Sequence, residues 1–545
     1  MEEGVGRMMS SGKITVFVNG KIFTSNPRMP YGDSLVIKDG RILWIGRRKE
    51  MPEEFQKAGE TVDFCGRRVI PGFVDAHMHP VMLADLRRKI TVMPPEVNSI
   101  EALIQAIKVK RQQQKAGEWI EGWGYDESGL LEKRSPTRYD LDLGCSDSPV
   151  SIMRTCAHIR CVNSVALKLA GIDRNTPDPP GGEIERDAEG EPTGVLKEKA
   201  STLFGALLPE ESVESRRDHL LELGDLLLSQ GITAICDMGD LDGLDNLPVY
   251  EAALKKGFRQ RTGVYYLWDF FADKESFQIL PEMMDRERQL FVAGLKLIGD
   301  GSISGRTAWM SRPYLGSDRE YGISVCSDEL LDQAIEYCRE HHCQLAIHAM
   351  GGKAIDRMIN RVCREKKWTP EGIPYVRMEH VTDPSRESIR KAAEHGISFV
   401  TQPIFQYAES ASYLANLGPE WMKECYPVRT ILEEGAELGF STDAPATFWS
   451  NPSDPFPGLK QAVTRISASG VDCGQDQAVG IETAVRLYTD GSARAAGFSH
   501  IGMLAPGYHG DFIVLNRDIL TIPSQEIDTL QVMETYLDGQ CVYRR

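Results

Sequence analysis

Through the middle of the chain, short β-branched and apolar runs alternate with stretches whose apolar positions recur at helical spacing, so strands and helices are expected to take turns. The segment after Ser327 shows the helical half. There Leu330, Leu331, Ala334, Ile335 and Cys338 fall on one face, and Ser327 is placed to cap the first turn. The strand half predicts eight elements: Val69 to Asp75, Thr233 to Asp237, Arg261 to Leu267, Gly294 to Ile298, Gln344 to His348, Tyr375 to Glu379, Ser398 to Gln402 and Gly439 to Thr442. Eight strands alternating with helices predict an α/β fold, a (β/α)8 TIM-like barrel.

Both ends follow a different rhythm. Short strands punctuated by turns are expected at Val16 to Ile22, Ser34 to Ile37 and, after Asp39-Gly40, Arg41 to Ile45. Near the C-terminus, Gly510 to Leu515 forms another strand, and Gln531 to Leu537 pairs with Gln540 to Arg544 across Asp538-Gly539. Neither end can bury a core alone, so the two are expected to join as one discontinuous small β-sandwich, 1–72 with 500–545, beside a barrel of 73–90 with 225–499. The gap between the first two barrel strands exceeds what one helix needs, so 91–224 is expected to be an insertion covering the barrel mouth and shaping substrate access. Ser99 opens a helical stretch there, Trp119 to Tyr125 and Val150 to Thr155 look like strands, and Pro179-Pro180-Gly181-Gly182 opens a hairpin ending near Gly194.

Composition narrows the class. With 545 residues, 41% hydrophobic and 26% charged, the chain is an ordinary globular protein of several domains. Its net charge of -17 is spread along the whole length, which disfavours nucleic acid or an anionic membrane as partner. Met1 to Lys13 carries no apolar run of signal-peptide length and no later segment approaches a membrane span, so a cytoplasmic protein is expected. The 12 cysteines are dispersed without a Cys-x-x-Cys pair, as reduced thiols are.

Candidate chemistry begins at Asp75-Ala76-His77-Met78-His79-Pro80. On an extended strand, residues two apart share a face, so His77 and His79 can present two imidazoles to one metal ion. Alone, His-x-His is a weak signal; two histidines on one strand face are often satisfied by ordinary hydrogen bonds. The other strand ends give it weight, because Ala346-Ile347-His348, Arg377-Met378-Glu379-His380 and Ser441-Thr442-Asp443 each finish an apolar run with a ligand-type residue. Catalytic residues of barrels sit at these ends. His341, His342 and His395 read instead as helix-end residues. Lys296 interrupts an otherwise apolar strand, at a cost on the order of several kcal/mol unless it is neutralised or paired. Two readings stand: an ion pair with Asp300 or Asp443, or an amine of depressed pKa that takes up carbon dioxide and bridges two metals as a carbamate.

The chain resembles the amidohydrolase superfamily, and within it the amidohydrolase-3 group. The likeness is carried by Val18 to Ile22, Val69 to Pro80, Gly181-Gly182-Glu183-Ile184, Pro192 to Leu196, Lys296 with Asp300-Gly301-Ser302, Ser441 to Pro445 and Thr489 to Ala495. What it implies is a barrel flanked by a composite sandwich, with His77, His79 and Asp443 around one ion, His348 and His380 around another, and carboxylated Lys296 between them. Zinc, one or two ions per chain, is the implied cofactor. Asp443 would be the catalytic proton shuttle, a small molecule the substrate, and a homodimer the assembly. Members of the group often have Asp-Gly before the histidine at His158, whereas this chain has Arg154-Thr155-Cys156-Ala157-His158. A different substrate is therefore expected, with Trp123, Tyr125, His158, Asp300 and Arg306 as candidate contacts.

The leading reading is hydrolysis of a carbon–nitrogen bond other than a peptide bond, in an amide or N-formyl group of a small organic molecule. The alternatives are a deaminase of an aminated heterocycle and a catalytically silent ligand-binding protein. Lys296 weighs against the first, since deaminases on such barrels usually hold one metal without a bridging lysine, and the complete ligand set weighs against the second. The chain has no phosphate loop, no Gly-x-Ser-x-Gly elbow and no Gly-x-Gly-x-x-Gly near its start, which leaves nucleotide and serine-hydrolase chemistry without support.

Overall fold

A computed structural model of the chain describes residues 13–545 apart from 57–58, 128, 156–158, 181, 209–210, 242, 273 and 275–276. Eight parallel strands pair in sequence order: Phe73–Met78, Ile232–Asp237, Arg261–Leu267, Leu290–Ile298, Gln344–Ala349, Val376–His380, Ser398–Thr401 and Glu437–Phe440. They form the (β/α)8 barrel expected of the alternating pattern. First and eighth strands meet just past their ends, where the Asp443 N–H donates to the His77 carbonyl at 2.7 Å and the His79 N–H to the Ala444 carbonyl at 2.8 Å. Helices cover the outside. One of them, Asp328–His341, is capped by Ser327, whose hydroxyl accepts the Leu330 N–H, and it buries Leu331, Ala334, Ile335 and Cys338.

Two strands expected to be continuous are each divided. Val69 to Asp75 belongs to two sheets: Arg68–Pro71 pairs with Lys21–Phe23 and Phe512–Leu515, while Phe73–Met78 opens the barrel. Gly72 makes the crossing, and a Cβ on it would lie 2.3 Å from Thr233 Oγ1, so no other residue fits without displacement. Val16 to Ile22 likewise breaks at Asn19, which has a left-handed φ of 55°, into Ile14–Val18 and Lys21–Phe23. Period-two patterning marks strands but does not reveal a change of sheet within an apolar run.

The divided strands build the sandwich. One sheet orders Arg41–Gly46, Ser34–Lys38, Ile14–Val18 and Glu60–Asp63; the other orders Gln540–Arg544, Val532–Leu537, Phe512–Leu515, Arg68–Pro71, Lys21–Phe23 and Tyr31–Gly32. Between them Phe17 meets Phe64, Phe512 and Tyr536 with ring centroids at 5.4, 5.3 and 5.6 Å, so chain start and chain end share one core. The hairpins at Asp39-Gly40 and Asp538-Gly539 have positive φ at both turn residues, the twist that two-residue connections need.

Between the first and second barrel strands stands a separate six-stranded sheet, ordered Gly182–Arg186, Pro192–Glu198, Ile159–Val162, Val150–Arg154, Ile120–Tyr125 and Ile90–Thr91. Its core gathers Leu103, Ile107, Ile120, Tyr125, Leu141 and Ile152 under the helix Ile100–Gln112, which Ser99 caps. The helix Val213–Ser229 runs through the limit expected at 224 and packs on Pro80–Leu86 and Leu247–Leu254, the barrel's own helices. The insertion touches the loop that leaves Asp443, where the Ser450 N–H donates to the Pro94 carbonyl at 3.0 Å. Among the described residues all cysteines are free, and no helix is long and apolar enough to cross a membrane.

Replacing Gly72 by Ala forces its methyl group into Thr233 at the sandwich–barrel junction. We expect a loss of about 1–3 kcal/mol of stability, as overpacking typically costs, read as a lower melting temperature in calorimetry. Melting indistinguishable from wild type would show that Thr233 can swing aside.

Candidate metal centre

The barrel brings His77, His79, Lys296, His348, His380 and Asp443 to one mouth. His77 Nε2 lies 3.3 Å and His79 Nε2 3.5 Å from Asp443 Oδ1. The Lys296 amine stands 3.5 Å from His77 Nε2. The His380 ring packs 4.8 Å from His77 and 4.3 Å from His348, centroid to centroid. Asp443 Oδ2 faces His380 Nδ1 at 3.8 Å.

Strand periodicity explains His77 and His79; backbone strain explains two others. The eighth strand ends at Phe440 rather than at Thr442, and Asp443 then turns inward with φ 57°. His380 directly follows Glu379, so regular alternation would send the two side chains to opposite faces. A φ of 72° at His380 redirects it, and both residues reach His77. Such left-handed non-glycine residues cost about 1–3 kcal/mol each and persist where the surroundings hold them. Asp75 does part of the holding. Buried on the first strand, it accepts the Thr442 hydroxyl at 2.6 Å and the Thr442 N–H at 3.1 Å, fixing the chain just before Asp443. Burial, against those hydrogen bonds, pushes its carboxyl up to about 7.

The donor set fits a cation. His77 Nδ1 is bonded to Glu379 Oε2 at 2.6 Å and His79 Nδ1 donates to the Gly239 carbonyl at 2.8 Å, which leaves both Nε2 lone pairs facing inward. Between them Asp443 Oδ1 is buried and accepts no hydrogen bond from the described residues. A buried acceptor without a donor is costly unless an ion completes it. The ligand atoms of His77, His79 and Asp443 lie within 4.8 Å of one another, close enough for one ion to bind all three. His380 and His348 stand beside this group rather than in it. His380 Nδ1 bonds Gln402 Oε1 at 2.9 Å, and His348 Nε2 faces the Gly301 carbonyl at 3.0 Å and Asp300 Oδ1 at 3.4 Å.

Buried charges tune the centre. Burial alone would raise the Glu379 carboxyl, but the Arg377 guanidinium and then His77 hold it at about 2. Arg377 is itself wholly buried and held by the Ala76 carbonyl and the Tyr265 hydroxyl. Burial drives the Lys296 amine down to about 8, although Glu379 and Asp443 pull it upward. Lys296 forms no ion pair among the described residues, so the reading that pairs it with Asp300 or Asp443 is not what the structure adopts. His77 is lowered by burial and by Lys296, and His380 falls well below the usual imidazole range through burial and the neighbouring His348. In His79 burial is outweighed by Asp443 and the Gly239 carbonyl, so its pKa rises. Asp443 is held well below the carboxylate range, burial being outweighed by His77, His79 and His380.

The expected substrate contacts are placed less uniformly. Asp300 is buried and receives the N–H groups of Trp309, Met350 and Gly351 at 2.8, 2.9 and 2.8 Å, so it ties two barrel loops together. Tyr125 is wholly buried in the core of the insertion, in one cluster with Leu103, Ile120 and Ile152. Arg306 pairs with Glu320 at 2.6 Å within the connection that follows the fourth barrel strand. Trp123 is partly buried, and its indole N–H has no partner among the described residues. His158 lies outside the described residues. Sequence reasoning passed over Arg377, Glu379 and Gln402. The signal was present for the first two, since charges two apart on a buried strand must share the barrel interior.

A parallel eight-stranded barrel whose strand ends gather histidines and an unsatisfied carboxylate defines a metal-dependent hydrolase. The chain belongs to the Amidohydrolase family, in its amidohydrolase-3 group, whose sequence model matches residues 60–543. It is 28% identical to the N-substituted formamide deformylase of Arthrobacter pascens, over 98% of this chain and 99% of that one. Among solved structures it is similar to an uncharacterized metal-dependent hydrolase of Pyrococcus horikoshii, with a TM-score of 0.74 and 28% identity over 94% of this chain and 99% of that one. A second such hydrolase, from Pyrococcus furiosus, gives a TM-score of 0.72 and 26% identity over 93% and 100%.

The Lys296 shift carries a sign. A lysine whose folded pKa is about 8, below the 10.5 of the free amine, destabilises the fold fully below pH 8, and the penalty fades as pH rises to 10.5. Lys296→Met should therefore make the metal-free protein more stable at pH 7, by about 1–3 kcal/mol. The advantage should shrink between pH 8 and 10.5 in calorimetric melts of chelator-treated protein. A variant less stable than wild type at pH 7 would contradict the assigned cost.

Proposed function

We propose that this chain hydrolyses a carbon–nitrogen bond in an amide or N-formyl group of a small organic molecule, using one or two zinc ions held by His77, His79, Lys296, His348, His380 and Asp443. The observation that carries the reading is the unbonded Asp443 Oδ1 between two inward-facing imidazole nitrogens. The nearly full-length likeness to a formamide deformylase supports the N-formyl choice. A divalent ion there supplies Lewis acidity toward the substrate carbonyl and makes water a nucleophile at neutral pH.

The chain's own groups do the rest. Glu379 and the Gly239 carbonyl hold the rings of His77 and His79 in the tautomer that offers Nε2. Lys296, with its amine near 8, has a neutral fraction at physiological pH. Its neutral Nζ can add to the carbon of carbon dioxide with loss of one proton, and the carbamate so formed would offer two oxygens as further metal ligands. Asp443 takes the proton of the attacking water on Oδ2 and returns it to the leaving nitrogen as the carbon–nitrogen bond breaks. Deamination has no observation of its own to favour it over this reading.

Purified protein should contain zinc by elemental analysis, and a His77→Ala, His79→Ala double variant should lose it; equal metal in both would place the site elsewhere. A screen of amides, N-formyl amines, lactams and aminated heterocycles with zinc-loaded protein tests the reaction class, and activity on the heterocycles alone would overturn it. Asp443→Asn keeps the side chain's size and one oxygen ligand but removes the base. Its kcat should fall by about 10²- to 10⁴-fold while most of the metal stays bound. Near wild-type turnover with metal bound would assign the proton to another residue.

A further inference from the structure

Glu409 stands in the helix Pro403–Leu417, which follows the seventh barrel strand, and at this residue the helix departs from helical geometry, with φ −111° and ψ 18°. One turn earlier on the same face, Phe405 stacks on His380 with centroids 6.1 Å apart and planes at 10°. That face therefore looks onto the candidate centre. Glu409 Oε1 accepts the Phe448 N–H at 3.3 Å, from the loop that leaves Asp443. Phe448 in turn lies against the insertion, where a Cβ on Gly129 would meet its Cζ at 3.0 Å. Glu409 thus sits at the corner where helix, Asp443 loop and insertion meet, and it remains partly exposed.

What sets it apart is how little it is satisfied. Several other enclosed carboxylates of this protein have a cation, as Glu379 has Arg377, Asp511 has Arg261 and Asp518 has Arg68, or two or more hydrogen-bond donors, as Asp75 and Asp300 have. Glu409 forms no ion pair among the described residues, and the charge it feels, Asp443, has its own sign. Burial first, and then that neighbouring charge, push its carboxyl up to about 7, although the Phe448 N–H pulls the other way. A carboxylate without an ion pair, beside aromatic rings and next to the loop that carries Asp443, suits an alkylammonium group, with its apolar stem and charged end.

We propose that Glu409 is a substrate-anchoring residue whose carboxylate binds a positively charged nitrogen, so that the substrates of this hydrolase carry a basic amine apart from the bond they lose. The proposal rests on the assignment of this mouth as the active site, but its test does not depend on the hydrolytic reaction. Calorimetry with zinc-loaded protein compares n-hexylammonium with 1-hexanol, neither of which has an acyl carbon to hydrolyse. Wild type should bind the ammonium ion about 10- to 100-fold more tightly than the alcohol, as expected for a hydrogen bond to a charged group. Glu409→Gln should abolish the preference, and Glu409→Asp, which keeps the charge, should retain part of it, each variant first matched to wild type in zinc content and melting temperature. No preference in wild type, or a preference undiminished in Glu409→Gln, overturns the proposal, whatever the activity screen finds.

Discussion

The seam between the first and eighth strands is made by the residues that face the candidate ion. Asp443 hydrogen-bonds the backbone of His77, His79 that of Ala444, and Asp75 clasps Thr442. A parallel barrel must close on itself or leave an open edge, and here closure relies on contacts placed past the end of the short final strand. The positions of His77, His79 and Asp443 relative to one another are consequently set by the same bonds that close the sheet. Ligand geometry and barrel closure are one constraint, which accounts for the strained φ at Asp443 being tolerated.

Below the seam, a wholly buried ion pair orients the site. Arg377 and Glu379 neutralise each other inside the barrel, and Glu379 spends its second oxygen on His77 Nδ1. Burying such a pair gains little stability by itself, and an apolar pair of similar volume would serve packing as well. Its value lies in direction: a carboxylate held ionised by arginine fixes which nitrogen of His77 points at the ion. Lys296 is the opposite case, a buried amine that forms no ion pair among the described residues, so burial outweighs the pull of Glu379 and Asp443 and lowers its pKa.

Much of this was legible in the sequence. Eight apolar runs alternating with helical spacing gave the barrel, and ligand-type residues at the ends of four of them gave the candidate centre, because strand ends on one side of a barrel must converge. The sandwich from both termini followed from each end being too small to fold alone. What period two cannot carry is a change of sheet within one apolar run, hence the misread stretches through Gly72 and Asn19. Nor can it carry a side chain redirected by backbone strain, and Asp443 and His380 meet their neighbours through positive φ rather than through alternation. The second layer, Arg377, Glu379 and Gln402, was visible only as charge and amide groups in buried strands. The substrate wall was least legible of all. Tyr125 and Asp300 turned out to be packed or tied to backbone, and Glu409 stands out through how few partners it has among the described residues, which no local pattern announces.

The junction at Gly72 has a temporal side. Synthesis delivers the chain from its N-terminus, and strand Arg68–Pro71, which leads directly into the first barrel strand, pairs with Phe512–Leu515 near the other end. Until the ribosome has reached Phe512–Leu515, that edge has no mate, and the root of the strand bearing His77 is held on one side alone, by Lys21–Phe23. Domains ordinarily fold in the order of their synthesis. In this chain a segment made early must wait for one made much later, so a nascent product that stops short of Phe512 holds every candidate ligand residue yet lacks the clasp that finishes the fold beneath them.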